Sequence, residues 1–161
     1  MRMIPALCLL AVGLAAAPVA AEAPKRIGPP DSPIAASVEV PAGSRLVYVS
    51  GQVPDVVNAA AAEGDVARFG DTETQTHSVI KKIEGVLKQH GLGLGDVVMM
   101  RVFLVAPPGQ PRMDFAGMMR GYSAAFGTKT QPNKPARSTM QVGGLVNAGW
   151  LVEIEATAAK Q

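Results

Sequence analysis

Between Thr72 and His90 the positions Thr76, Val79, Ile80, Ile83, Val86 and Leu87 recur at spacings of three and four residues. That period builds one apolar face and predicts an amphipathic helix. Asp71 and Thr72 are both able to cap its start, Glu73 puts negative charge in the first turn, and Gly91 supplies a left-handed stop. A second helix is predicted over Asp114 to Phe126, with Phe115, Met118, Met119, Tyr122 and Phe126 as its stripe. Alternating or continuous apolar runs predict strands at Ala36 to Val40, Arg45 to Ser50, Val97 to Val105, Ser138 to Val142 and Trp150 to Ala158. Ala59 to Phe69 is rich in alanine but holds Gly64, so a loop or short turn is expected there. The order of elements implies an α+β domain, a sheet with both helices packed on one face. Val47, Val49, Met99 or Met100, and Ile154 exceed what two helices cover. The opposite sheet face is therefore expected to carry apolar residues and to join copies of the chain into a closed homo-oligomer.

The N-terminus follows another plan. Met1, Arg2 and Met3 precede an uncharged, Leu- and Ala-rich run from Ile4 to Ala20, with Val19 and Ala21 as small residues before a cut. This is the layout of an export signal, expected to be cleaved after Ala21. The run contains Pro18 and is shorter than the usual span of about 20 residues, which disfavours an uncleaved membrane anchor. The product is then periplasmic or secreted, with no stable membrane association. Residues 22–31, rich in proline, are expected to be a flexible lead, and residues 32–161 the domain. The single cysteine, Cys8, leaves with the signal, so the mature chain has no thiol for a disulfide, a nucleophile or a metal. A chain of about 140 residues is large enough to fold on one core. Net charge is +2 and falls to about +1 without Arg2. No cluster of Lys and Arg interleaved with aromatics remains, so nucleic acid is not expected as a partner.

No phosphate loop, dinucleotide fingerprint, zinc-protease helix or serine elbow is present. His77 and His90, thirteen residues apart on one helix, do not make a ligand set, and no metal or cofactor is expected. Met118, Met119 and Met140 read as packing residues before soft-metal ligands. The pair that invites chemistry is Arg137 with Glu153. Arg137 stands where a proline-punctuated loop, Pro135-Ala136, becomes a strand, and a guanidinium there can grip a small carboxylate through two parallel hydrogen bonds. Glu153 shares one face of its strand with Glu155, away from the apolar residues, and can accept a proton or position a water. A cross-strand ion pair, or two solvated charges, is the plainer reading of the same two residues.

Several of these segments carry a resemblance. Pro135-Ala136-Arg137-Ser138-Thr139-Met140-Gln141-Val142 and Val152-Glu153-Ile154-Glu155-Ala156-Thr157-Ala158 resemble the C-terminal signature of the RidA family, also called YjgF/YER057c/UK114. Val49-Ser50-Gly51-Gln52-Val53, His90-Gly91-Leu92, Gly95-Asp96-Val97-Val98, Val102-Phe103-Leu104, and Phe115 with Tyr122 and Phe126 match in order. The resemblance implies a chorismate-mutase-like mixed sheet, a homotrimer with ligand clefts between subunits, and no cofactor. It implies hydrolysis of enamine and imine intermediates, the 2-imino acids, to 2-oxo acids and ammonia. Arg137 matches the family arginine that holds the substrate carboxylate, and Glu153 the glutamate associated with water. Three positions depart from the family pattern: Ile34, or Pro30 in a looser alignment, stands for a tyrosine, Met119 for an asparagine and Thr139 for a cysteine. These residues are the expected remainder of the substrate-binding set. The alternative implied by the departures is a non-catalytic module that binds small carboxylates.

Overall fold

The computed structural model describes residues 22–160. The expected export signal, 1–21, lies outside the described residues. In chain order the strands and helices are β1 (Lys25–Ile27), β2 (Ser37–Glu39), β3 (Arg45–Gln52), α1 (Thr72–Gln89), β4 (Val97–Leu104), α2 (Phe115–Ser123), β5 (Ala136–Gln141) and β6 (Val152–Lys160). The main sheet has the order β3-β6-β4-β5, with β4 and β5 parallel and the other pairs antiparallel. Both helices cover one face of this mixed sheet, as the periodicity predicts.

The core is set by strand parity. Val47 and Val49 of β3, Met100, Val102 and Leu104 of β4, and Val152, Ile154, Ala156 and Ala158 of β6 all point towards the helices and are buried. Against them lie Val79, Ile80, Ile83 and Leu87 of α1, and Met118 and Tyr122 of α2. Asp71 caps α1 through the Thr74 amide, and Asp114 caps α2 through the Gly117 amide.

Three expectations need correction. Val47, Val49, Met100 and Ile154, expected to overflow onto a second face, all fit beneath the helices. The uncovered face instead presents Leu46, Tyr48 and Met140, which are exposed, and Met99 and Phe103, which are half-buried. Residues 22–31, expected to be a flexible lead, contain strand β1, which pairs with β2 in a separate two-stranded sheet. The Arg26 guanidinium fixes it there, donating to the carbonyls of Gly95 at 2.9 Å and Val97 at 3.3 Å. The strand expected near Ala36 to Val40 belongs to this small sheet rather than to the main one. Neither placement shows in a local pattern: β1 is fixed by contacts some seventy residues away, and β2 by pairing with β1.

The connection between β1 and β2 touches the start of β5. Ala35 bridges Ala136, and its amide donates to the Pro135 carbonyl at 3.0 Å. The Lys134 ammonium donates to the carbonyls of Pro30 and Ser32, at 2.9 and 2.6 Å. Residues 30–35 are thereby tied to the place where Arg137 enters the sheet.

Candidate functional site

Arg137 is the second residue of β5, opposite Met100 of β4, so it lies on the face turned to the helices. Its guanidinium carbon sits 4.2 Å from the centroid of the Tyr122 ring, a cation–π contact. Tyr122 is an immobile platform. Its ring stacks on Phe126 at 4.9 Å, and its hydroxyl donates to the Pro33 carbonyl at 3.2 Å. Burial pushes that hydroxyl up to about 12, with the Arg137 charge pulling the other way, so it stays protonated.

The remaining partners of the guanidinium are weak. One terminal nitrogen donates to the Met119 sulfur at 3.2 Å and the other reaches the Met118 sulfur at 3.9 Å. A thioether is a poor acceptor. Nε is buried with no partner. Among the described residues no carboxylate pairs with Arg137. Burial lowers its pKa, the neighbouring Tyr122 opposing that shift, and an arginine remains a cation throughout. A half-buried, unpaired cation is costly, and an anion that forks onto it recovers the cost.

The other predicted residues divide by face. Thr139, two residues along β5, shares the Arg137 face, and its hydroxyl is buried without a partner. Met119 touches the guanidinium directly. Ile34 is half-buried and packs against the core, in the segment that Tyr122 and Lys134 hold beside Pro135 and Ala136. Glu153 is elsewhere. It stands opposite Phe103 of β4, on the uncovered face, while Arg137 looks the other way. No ion pair joins the two, because β4 separates their strands and their side chains leave the sheet on opposite sides. The cross-strand ion pair of the sheet is Arg101 with Glu155, at 3.2 Å.

Glu153 has its own setting. β3 carries a bulge between Val49 and Gln52, opposite Ile154 and Ala156. Gly51 lies in that bulge, and a Cβ there would collide with the Glu153 carboxylate. Glycine is what leaves room for the acid, whose oxygens accept no hydrogen bond among the described residues.

Some determinants escaped the sequence reading. Tyr122 counted as one apolar-stripe residue, yet a tyrosine in such a stripe needs a partner for its hydroxyl, which signals a special place. Gln75, fully buried, donates to the carbonyls of Gly70 and Gly149 and accepts from the Leu151 amide, joining α1 to the approach of β6. The proline-rich segment 106–112 borders a hollow of its own. That cleft of about 560 Å³ lies against Val66, Thr72 and Leu151 at the start of the helices.

Comparison with known proteins is consistent with this geometry. The family described as Endoribonuclease L-PSP matches residues 30–160. A RutC family protein of Pyrococcus abyssi is 34% identical over 140 residues, covering 87% of this chain and 93% of its own. A Rid family protein of Yersinia pestis, YyfB, superposes with a TM-score of 0.63 at 25% identity, covering 86% of this chain and 100% of its own. Escherichia coli TdcF, solved with bound serine, superposes with a TM-score of 0.57 at 26% identity, covering 85% and 99%.

Proposed function

The chain belongs to the endoribonuclease L-PSP family, the YjgF/RidA proteins, and on that premise we propose that it hydrolyses 2-imino acids in clefts between the copies of a homotrimer. The observation that carries the reading is Arg137: a guanidinium fixed on Tyr122, short of acceptors, and without a carboxylate. A bound carboxylate forks onto it and fixes the imine carbon beside it. TdcF was solved with serine, itself an amino acid with a free carboxylate.

The chemistry asked of the protein is small. Water adds to the carbon of the protonated imine, one proton moves from the added water to the amine, and ammonia leaves as the remaining hydroxyl gives up its proton and the 2-oxo acid forms. Glu153 is assigned the proton transfer. Since it faces away from Arg137 of its own chain, the reading places Glu153 of one copy against Arg137 of the next. β5 supports this, being the edge strand of the main sheet, its outer side met, among the described residues, only by the Ala35 bridge at its start. The chain is assigned to the periplasm or the exterior, with its mature form starting at Glu22.

The separation of Glu153 from Arg137 also favours a second reading, a carboxylate-binding module without turnover. One experiment divides them. 2-Iminopropanoate is generated by an amino-acid oxidase, and its loss is followed with the wild type and Arg137→Ala. Wild type is expected to accelerate the loss, and the variant to lose on the order of 100-fold of that acceleration, the worth of a charge-assisted pair. No acceleration by wild type overturns the deaminase reading for this substrate. Equal acceleration by both removes Arg137 as the anchor.

A further inference from the structure

Away from Arg137, the segment 106–112 and the starts of both helices enclose the cleft of about 560 Å³. Sites for small molecules run from about 300 to 1,000 Å³, so this one is roomier than a small 2-imino acid needs. Val66, Pro107, Met113 and Leu151 give it an apolar wall. Charges of both signs stand beside that wall. Asp71 and Asp114, the two helix caps, each have one oxygen held by a backbone amide, from Thr74 at 2.9 Å and from Gly117 at 2.8 Å. Among the described residues neither carboxylate has an ion-pair partner, since Arg120, whose charge both of them feel, is taken by Glu73. Arg112, from the proline-rich segment, has no carboxylate partner among them either. Thr72 also lines the cleft; the residue is 1% exposed, and its hydroxyl has no hydrogen-bond partner.

We infer that this cleft is a second binding site, for free α-amino acids with large apolar side chains. The ammonium lies on Asp71 and Asp114, the carboxylate on Arg112, and the side chain on the apolar wall. The charge balance decides the class of ligand. Two carboxylates face one guanidinium and the partial positive charges of two helix N-termini, which brings the lining close to neutral. A ligand with one charge leaves part of this set unanswered, whereas a zwitterion answers both signs. Burial of its side chain supplies affinity, and the charge-assisted hydrogen bonds supply orientation. A threonine hydroxyl on a helix has two staggered positions open to it, so that of Thr72 can turn to the same ligand carboxylate. Arg137 is not among the walls of this cleft, so the site stands apart from the anchor.

The test measures binding to the full mature protein by calorimetry, with three probes that share one apolar body. L-Phenylalanine carries both charges, phenethylamine the cation alone and 3-phenylpropanoate the anion alone. Wild type is expected to bind L-phenylalanine roughly 10-fold more tightly than either analogue, the worth of one hydrogen-bonded charge. Arg112→Ala, at an exposed loop position, should weaken L-phenylalanine and 3-phenylpropanoate by about the same factor and leave phenethylamine unchanged. The double variant Asp71→Asn, Asp114→Asn keeps both helix caps and should do the reverse, weakening L-phenylalanine and phenethylamine only. Arg137→Ala should bind L-phenylalanine as wild type does. No binding of L-phenylalanine by wild type, or equal affinity for all three probes, overturns the inference without any variant. Binding of L-phenylalanine that survives both charge changes, or that is lost in Arg137→Ala, overturns it as well, the last by placing the ligand at the anchor. A chain that fails to hydrolyse imines yet shows this crossed pattern keeps the second site and loses only the deaminase reading.

Discussion

Asp71 and Arg137 are both charged side chains placed by the end of a secondary-structure element, and they are held in opposite ways. The Asp71 carboxylate is satisfied: it accepts from the Thr74 amide at 2.9 Å. That hydrogen bond, followed by the Thr74 side chain and helped by the charge of Arg120, holds its pKa below the ordinary carboxylate value. A folded pKa below the unfolded one, near 3.9, means stability that is full above about pH 4 and lost as pH falls through the folded value. Asp71→Ala is therefore expected to cost about 1 kcal/mol at pH 7, in urea unfolding, and the difference should shrink below about pH 4. Asp71→Asn retains the acceptor and should keep most of that stability at pH 7. Arg137, by contrast, is left unsatisfied, and that contrast marks it as a site rather than a cap. Its position was legible because the run from Pro135 to Val142 matches a family signature; by itself an arginine at a strand boundary reads as readily as an ion-pair partner. The side of the sheet that Glu153 faces relative to Arg137 was not. Parity within β6 pairs Glu153 with Glu155, but relating that face to β5 requires the strand order and the registers of two ladders.

The helices were the most readable elements, because thirteen to nineteen residues of sustained period leave little choice, while three-residue β1 and β2 carry no period at all. Helix packing was less readable, and it governs the site. α1 and α2 come close together at Gly121, where a Cβ would stand 2.7 Å from the Thr76 Cβ and 3.1 Å from the Glu73 carbonyl. Thr76 cannot swing aside freely, since its hydroxyl donates to the Thr72 carbonyl at 2.7 Å and the residue is fully buried. A side chain at position 121 must push the helices apart. Gly121→Val is expected to destabilise by roughly 2 to 3 kcal/mol, read as a lower urea midpoint, overpacking outweighing the gain in helix propensity. Tyr122 is the next residue, so the displacement moves the platform under Arg137. Carboxylate binding should weaken even at urea-free conditions where the variant is folded. A stable variant with unchanged binding would mean that α2 tolerates rotation without disturbing the guanidinium.

At the scale of the whole molecule the sheet has one face sealed by helices and one left bare. The bare face holds Tyr48, 75% exposed, with Leu46, Met140 and the half-buried Met99 and Phe103 around the Arg101–Glu155 pair and Glu153. A patch of this composition is what a closed oligomer buries, and the polar groups within it fix register rather than supply affinity. Tyr48→Glu tests whether this face joins copies and whether joining makes the site. Tyr48 opposes Thr157 across β3 and β6 and is largely exposed, so the protomer should keep its stability to within about 0.5 kcal/mol. Placed in an interface, the new carboxylate loses its water and adds repulsion to Glu153 and Glu155 of the same face. Light scattering after size exclusion should show wild type at a multiple of the protomer mass and the variant at the protomer mass, at micromolar concentration. Imine hydrolysis should fall with it. Arg137 and Glu153 leave the sheet on opposite sides, so a lone protomer offers the anchor without the proton carrier. A monomeric Tyr48→Glu with full activity would put the whole reaction on the helix side of one chain and remove Glu153 from it. A monomeric variant that still binds 2-oxo acids but no longer turns over imines would separate the two roles, with Arg137 sufficient for binding and the second copy needed for chemistry.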